Sequence, residues 1–463
     1  MAGLQATGLG SGLDIESMVS QLMSIERRPI TQLGVREASF QSKLSAFGQL
    51  KSALSTLQTA ANGLKDASKF AATKATAGAD AGFTATSTAS AAAGTFAIEV
   101  GQLATTQRVA SNATTQFVPA DGSSTPRTLE IEFGNLKDGA FTGSGDTKTL
   151  EFKGSTLEDL RDAINKGELG VKASIVDNGN AKQLVIAGND SGASKAFRIG
   201  GDVGLQYDPA APAGDPSVEN IQAAQNAKLK VDGINIERGS NTVSDVLDGV
   251  TLTLNKAGNS TLTVTQDTSP ARTAIDAFVK AYNDATNTIK SLTNYDAASK
   301  RASALTGDTT ARSAETALRN AVGGFFGEGG KTRLSDLGIS VQKGGGLAVD
   351  SSKLDAALKD PTRNVTAFFA GGSGATGFAD SVSKSLGSYV GSTGLIAGRT
   401  DGINASIKSI NTQRTVLTDR MASIEKRYRD QFTSLDAAIA GMTQTSSYLS
   451  AQLANLPGSS SNR

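Results

Sequence analysis

Between Leu33 and Leu64 the apolar residues Leu33, Phe40, Leu44, Phe47, Leu54, Leu57, Ala61 and Leu64 recur at spacings of three, four or seven. That spacing lays one apolar stripe along a helix. A shorter stripe precedes it, formed by Ile15, Met18, Val19, Leu22 and Ile25, with Asp14 placed to cap it and Arg27, Arg28 and Pro29 placed to close it. At the far end Ile403, Ile407, Ile410, Leu417, Met421, Ile424, Tyr428, Leu435, Met442, Leu449 and Leu456 keep a strict alternation of four and three. Proline is absent until Pro457, so this pattern spans 54 residues, roughly 80 Å of helix at about 1.5 Å per residue. Neither stripe can bury itself alone, and an isolated helix is marginal in water. Each terminal stripe is therefore the expected partner of the other.

The middle of the chain changes period. Residues 71 to 95 hold 22 Ala, Thr, Gly or Ser in 25, a composition that suits a linker or, around Phe83 to Ser87, thin strands. From Gly94 the period is two: Phe96, Ile98 and Val100, then Leu129, Ile131 and Phe133, then Leu150 and Phe152, then Leu184 and Ile186 alternate with polar residues. One amphipathic helix interrupts this sheet region at Leu157, Leu160 and Ile164, capped by Ser155 or Thr156 and closed by Gly167. Residues 202 to 217, with Pro209, Pro212 and Pro216, read as a connector. Strands resume at Leu229 to Val231, turn at Asp232-Gly233, and continue through Ile234 and Ile236, Val250 to Leu254 and Leu262 to Thr265. After Ser269-Pro270 helices return, with Phe278, Tyr282, Ile289 and Leu292 on one stripe, then Leu354 with Leu358, and Val365 with Phe368 and Phe369. The fold class is α+β and multidomain: a helical leg of coiled-coil character built from both chain termini, with an inserted two-part β-rich head.

Composition narrows the chemistry. His, Cys and Trp are each absent, which removes imidazole and thiolate catalysis, the usual zinc ligands and every disulfide. Lys+Arg 45 against Asp+Glu 44 leaves a net charge of +1, no field for nucleic acid or an anionic membrane. No stretch approaches the ~18 apolar residues of a membrane span, and Gly3 to Gly12 is too small and polar for a cleavable secretory signal.

Candidate motifs fail on spacing or context. Gly330-Lys331-Thr332 resembles the end of a phosphate loop, but Phe325 stands where its first glycine belongs. Gly372 to Gly377 meets the dinucleotide spacing without a preceding strand. Asp177-Asn178-Gly179-Asn180 reads as a hairpin turn rather than a calcium loop. Glu130 and Glu132 share a strand face as solvent-facing carboxylates, and Glu425, Lys426, Arg427, Arg429 and Asp430 read as a solvated helix face. No catalytic residue, metal ligand or cofactor site is expected.

At Gly8, Leu9, Gly10, Ser11, Gly12, Leu13 and Asp14, followed by Met18-Val19, Leu22-Met23, Glu26 and Pro29, the chain resembles the flagellar hook-associated protein 2 family, the bacterial filament caps. Further matches are Gly94 to Val100 with Gln102-Leu103-Ala104, Ala163-Ile164-Asn165 with Gly170 to Ala173, Val231-Asp232-Gly233, Asn241-Thr242, and Gly249 to Leu252. Phe278-Val279 with Ala281-Tyr282-Asn283, Thr306-Gly307-Asp308, Leu337-Gly338-Ile339, Gly346-Leu347 and Asp350 continue them.

The resemblance implies a structural protein, not an enzyme. It would form a ring-like homo-oligomer at the filament tip, beneath which exported flagellin folds and inserts. The implied partners are other copies of itself, flagellin, hook-filament junction proteins, the flagellar export apparatus and an export chaperone, with neither nucleic acid nor membrane insertion. Secretion would use the flagellum's own apparatus. The alternatives are another axial structural protein, such as a hook-filament junction protein, or a secreted adhesin.

On this reading residues 1–35 and 435–463 are mobile helical segments that find no partner within one subunit. Residues 36–75 form a leg helix that pairs with a leg domain at 269–434. The inner head domain comprises 76–117 and 218–268, and 118–217 form an outer domain inserted in it.

Overall fold

A computed structural model describes residues 14–112, 125–211, 217–372 and 376–454. Gly8 to Leu13, the domain bound at 117, Pro212, Pro216, Ser373 to Ala375 and Leu456, all within the readings above, lie outside the described residues. The chain divides into two compact units, one made from both ends (Met1–Asp66 with Arg272–Arg463) and one inserted between them (Ala67–Ala271). The class is mixed α and β, with helices concentrated in the first unit and antiparallel sheets in the second.

The first unit opens with α1 (Ile15–Glu26) and α2 (Arg28–Gly63). Asp14 caps α1 by accepting from the Ser17 N–H at 2.9 Å. The break falls on Arg27, and Pro29 begins the second helix rather than ending the first, because its fixed φ suits a first turn.

The inserted unit holds β1 (Thr73–Ala77), β2 (Phe83–Ser87), β3 (Gly94–Gln102), β4 (Arg108–Ser111), β5 (Arg127–Lys137), β6 (Ala140–Phe152) and α3 (Leu157–Lys166). It continues with β7 (Val171–Asp177), β8 (Lys182–Gly188), β9 (Ala196–Gly201), β10 (Val218–Gln222), β11 (Ala227–Val231), β12 (Ile234–Arg238), β13 (Thr242–Leu247), β14 (Val250–Leu254) and β15 (Gly258–Gln266). The Ala/Thr stretch is thus stranded, with β1 against β15 and β2 against β14. Two sheets, β1-β15-β3-β11-β12 and β13-β14-β2, enclose one core containing Ile98, Val100, Leu229, Leu252, Leu262 and Val264. Two others, β10-β4-β8-β7 and β6-β5-β9, enclose with α3 a second core containing Leu129, Ile131, Leu160, Ile164, Ile186 and Phe197.

Asp232 (φ 47°) and Gly233 (φ 83°) make the two-residue β11–β12 turn, and Asp232 also bonds the Ala97 backbone. Asn178-Gly179 lies in the turn between β7 and β8, with Gly179 at φ 84°.

Three expectations are corrected. The chain passes between the two cores earlier and later than Phe117 and Ser217 suggest, since β4 pairs with β8 and β10 and buries Val109 in the second core. Neither β4, with Val109 and Ala110 adjacent, nor β10, with Val218 and Ile221 three apart, shows the alternation that marks a strand. Residues 202 to 211 are more than a connector: Val203, Leu205 and Tyr207 are buried in the second core, and Tyr207 pairs with Ile199 on β9. Third, α1 has a partner within the chain, the long helix that ends the first unit.

Returning to the first unit, the chain forms α4 (Ser269–Thr293), the short pair β16 (Tyr295–Asp296) and β17 (Arg301–Ala302), and α5 (Thr309–Gly323). The hairpin of β18 (Ile339–Val341) and β19 (Leu347–Val349) follows, then α6 (Ser351–Lys359), α7 (Val365–Ala370), α8 (Phe378–Val390) and the 60-residue α9 (Leu395–Ala454). Phe378 is the hub of an aromatic cluster, with Phe278 at 5.2 Å, Phe326 at 5.4 Å and Phe368 and Phe369 each at 5.8 Å between ring centroids.

Candidate functional site

The sequence places the functional surface on the helices from the two chain ends. On α2, Phe47, Leu50, Leu54, Leu57 and Ala61 are fully buried, as is Leu64 just beyond it, while Phe40 and Leu44 are half-buried. Their cover is shared. α9 packs along α2, but so does α8, which the periodicity did not reveal. Gln58 donates to the Ser383 carbonyl at 2.9 Å, Ser383 donates to Asn62 Oδ1 at 2.8 Å, and Lys65 pairs with Asp380 at 2.7 Å. A 13-residue helix with Phe378, Val382 and Leu386 inside leaves a short stripe, easily lost among small residues.

On α9 the stripe changes character along its length. Ile403, Ile410, Met421 and Ile424 are buried, and Ile407, Leu417 and Tyr428 are half-buried. Beyond them Leu435 is 47% exposed, Met442 73%, Leu449 53% and Leu453 65%.

The switch falls where α1 ends. Ile15, Val19 and Met23 of α1 pack on Met421 and Ile424, with Met18, Ile30, Tyr428 and Phe432 around them. The expectation that the first helix has no partner within the subunit is therefore corrected: α1, which precedes the break at Arg27, lies on α9 and satisfies the same stripe. Ile25, at 57% exposed, faces away.

The contact is framed by charge. Arg429 donates to both carboxylate oxygens of Glu16 at 2.6 and 2.8 Å and to Glu425 at 3.1 Å. Arg27 reaches Glu425 at 3.3 Å, Tyr428 donates to Glu26 at 3.3 Å, and Arg414 bonds Glu37 on α2. The hydrogen bond from Arg429 holds the Glu16 carboxyl below its ordinary value, and Glu16 and Glu425 together push the guanidinium up. Part of the charge run read as a solvated face thus orients α1, because 16 and 425 lie too far apart in sequence for a pattern within one helix to show them.

The motif residues of both units make structural contacts. Asn165 Nδ2 donates to the Ala173 carbonyl at 2.8 Å while its Oδ1 accepts from the Ala173 N–H at 2.9 Å. Asn241 grips Ala104 and Asn283 grips Leu347 in the same two-bonded way. Gln107, 1% exposed, does so with Phe197. A primary amide offers the same donor and acceptor as a peptide unit, so each side chain substitutes for a missing strand neighbour. Asp308 caps α5 through the Thr310 and Ala311 N–H groups and meets Arg399 at 3.3 Å. Gly338 turns at φ 86°, where a Cβ would stand 2.9 Å from Lys353 Cβ. Glu132 pairs with Arg198, so this carboxylate ties β5 to β9.

Comparison with known proteins places this arrangement. Residues 11–107 match a family profile described as Flagellar hook-associated protein 2 N-terminus, and residues 224–444 match its C-terminal counterpart. Residues 141–190, which include Asn165, match the Flagellin hook IN motif. The chain is 37% identical to flagellar hook-associated protein 2 of Escherichia coli K12, over 98% of this chain and 99% of that one. It is 34% identical to the A-type flagellar hook-associated protein 2 of Pseudomonas aeruginosa, over 97% of each. Its fold is similar to the crystal structure of the D1-D2-D3 domains of the Escherichia coli flagellar cap protein, with a TM-score of 0.64 and 37% identity, covering 78% of this chain and 99% of that structure.

Proposed function

Because the chain belongs to the flagellar hook-associated protein 2 family, we propose that it is the cap at the distal end of a bacterial flagellar filament, where it promotes folding and insertion of exported flagellin and prevents its loss. It is a structural protein, not an enzyme. The observation that carries the assembly reading is the division of the α9 stripe, closed by α1 and α2 up to Ile424 and, among the described residues, exposed at Leu435, Met442, Leu449 and Leu453. A bare apolar stripe on a long helix is a surface that needs a partner. In the cap that partner is another copy of the chain, arranged as a ring-like homo-oligomer with coiled-coil contacts between legs.

The rest of the reading follows from this role. The protein is secreted through the flagellar export apparatus, with an export chaperone shielding the bare stripe beforehand, and meets hook-filament junction proteins before flagellin arrives. In the inserted unit, the core of β1–β3 and β11–β15 is the inner head domain, and the core of β4–β10 is the outer one nested within it. Neither the junction-protein nor the adhesin alternative gains support from the family match.

Gold-labelled antibody against the protein tests the location. Label at one free tip of each filament is the expected result; label at the junction of hook and filament would favour the axial alternative.

A further inference from the structure

Strands at sheet edges present unpaired N–H and C=O groups that can accept a strand from another molecule. The order β10-β4-β8-β7 leaves β7 at such an edge. Asn178 donates from its N–H to the Ala181 carbonyl, closing the hairpin, and alternation along the ladder then turns the backbone N–H and C=O of Val171, Ala173, Ile175 and Asp177 away from β8. Between Lys172 and Asp177 the four residues from Ala173 to Val176 carry no charge and no proline, and Val176 is 48% exposed, so the middle of the edge lacks the charges that guard its two ends. At the centre of this edge the outward N–H and C=O of Ala173 are both taken by Asn165, reaching from the last turn of α3.

The arrangement recurs. β9 is also an edge, where Gln107 takes both outward groups of Phe197 and the Tyr207 backbone takes those of Ile199. The β18–β19 hairpin exposes the outer side of Leu347, and Asn283 takes both of its groups. Three amides on three edges in three different sheets share one geometry, yet they come from α3, the segment before β4 and α4.

We propose that Asn165 is an edge plug: by occupying the Ala173 backbone it denies the β7 edge to strand addition by a second copy of this chain. Gln107 and Asn283 make the same pair of bonds inside the fold, on Phe197 (0% exposed) and Leu347 (5%), so the plug role is assigned to Asn165 alone. The inference does not rest on the cap reading.

The test is Asn165→Ala in the full chain, followed by sedimentation velocity and by hydrogen exchange at low and high protein concentration. Wild type, run beside it, supplies the background of ring formation. The variant is expected to self-associate at about tenfold lower concentration, the scale set by the backbone hydrogen bonds the freed edge can offer. Its amides at 171–177 should gain protection as concentration rises. Adding Val176→Lys, a charge on the exposed edge, should reverse both effects. A folded Asn165→Ala that behaves as wild type, or that associates without protection of 171–177, overturns the proposal. So does loss of the sheet in both Asn165→Ala and the milder Asn165→Ser, since that makes the amide a core clamp. An altered wild-type background would bear on the cap reading alone.

Discussion

Asn241 holds Ala104 as a neighbouring strand would: its Nδ2 donates to the Ala104 carbonyl and its Oδ1 accepts from the Ala104 N–H, both at 2.8 Å. Ala104 lies just past the end of β3, beyond the last residue that β15 can pair, so the amide continues a ladder whose strand has run out. An aspartate of the same shape keeps the acceptor but loses the donor, and sets its charge against the Ala104 carbonyl. Asn241→Asp should therefore cost about 1–3 kcal/mol. Urea unfolding followed by far-UV circular dichroism checks this, and a variant as stable as wild type would show that the pair contributes nothing.

The α1 contact separates apolar from ionic contributions. Val19 is 1% exposed against Met421 and Ile424, so Val19→Asp must expel the helix from α9. Hydrogen-exchange protection over 15–26 should fall by about tenfold or more, while residues 67–271 keep theirs. Arg429→Ala should have the smaller effect, below about 1 kcal/mol, because the guanidinium is 44% exposed and solvent screens it. A larger loss from Arg429→Ala than from Val19→Asp would reverse the ranking.

Phe378 connects four other rings, and its removal should be the most costly single change in the helical unit. Phe378→Ala is expected to destabilise by about 3–5 kcal/mol, measured by thermal unfolding. A loss below about 1 kcal/mol would mean that the cluster can collapse around the gap.

The pH response should be confined to acid. With no histidine or cysteine, no side chain has its ordinary titration between about pH 5 and 8, so the melting temperature should stay nearly flat there. Asp202 accepts from the Thr128 N–H, which holds its carboxyl below the usual range. A folded-state value below the unfolded one stabilises at neutral pH, and the stabilisation is lost as pH falls through it. Wild type and Asp202→Asn should thus differ above about pH 4 and converge below it. A difference that grows in acid would contradict the sign.

The terminal helices were legible because seven-residue spacing over tens of residues survives any single substitution: α2 and α9 lie where Leu33 to Leu64 and Ile403 to Leu449 placed them. The β11–β12 turn was legible because Asp-Gly fits positive φ at both positions. Short strands such as β4 and β10 were not, and neither was α8. The family motif residues Asn165, Asn241 and Asn283 were visible as letters, but their shared grip on a distant backbone exists only once the chain is folded. Gln107 belonged to no motif, and its only signal was a buried amide, which sequence does not display. The partner of α1 was missed because burial on α9 depends on the turn at Arg27, and a stripe records that it needs cover without recording what supplies it.

The central claim is that the stripe of α9 holds the leg together for cap assembly, and it is tested most directly in cells lacking their own cap protein. The cells would carry either this chain or its Leu417→Asp/Ile424→Asp variant, and filamentous and monomeric flagellin in the medium would be measured beside secretion of the chain itself. One buried carboxylate at 424 and one half-buried at 417 should break α9 from its partners while the inserted unit, with its own two cores, keeps its fold. The account predicts filaments with wild type, and normal export of the variant with flagellin shed as monomers. Normal filaments with the variant, or monomeric flagellin with both, would contradict it.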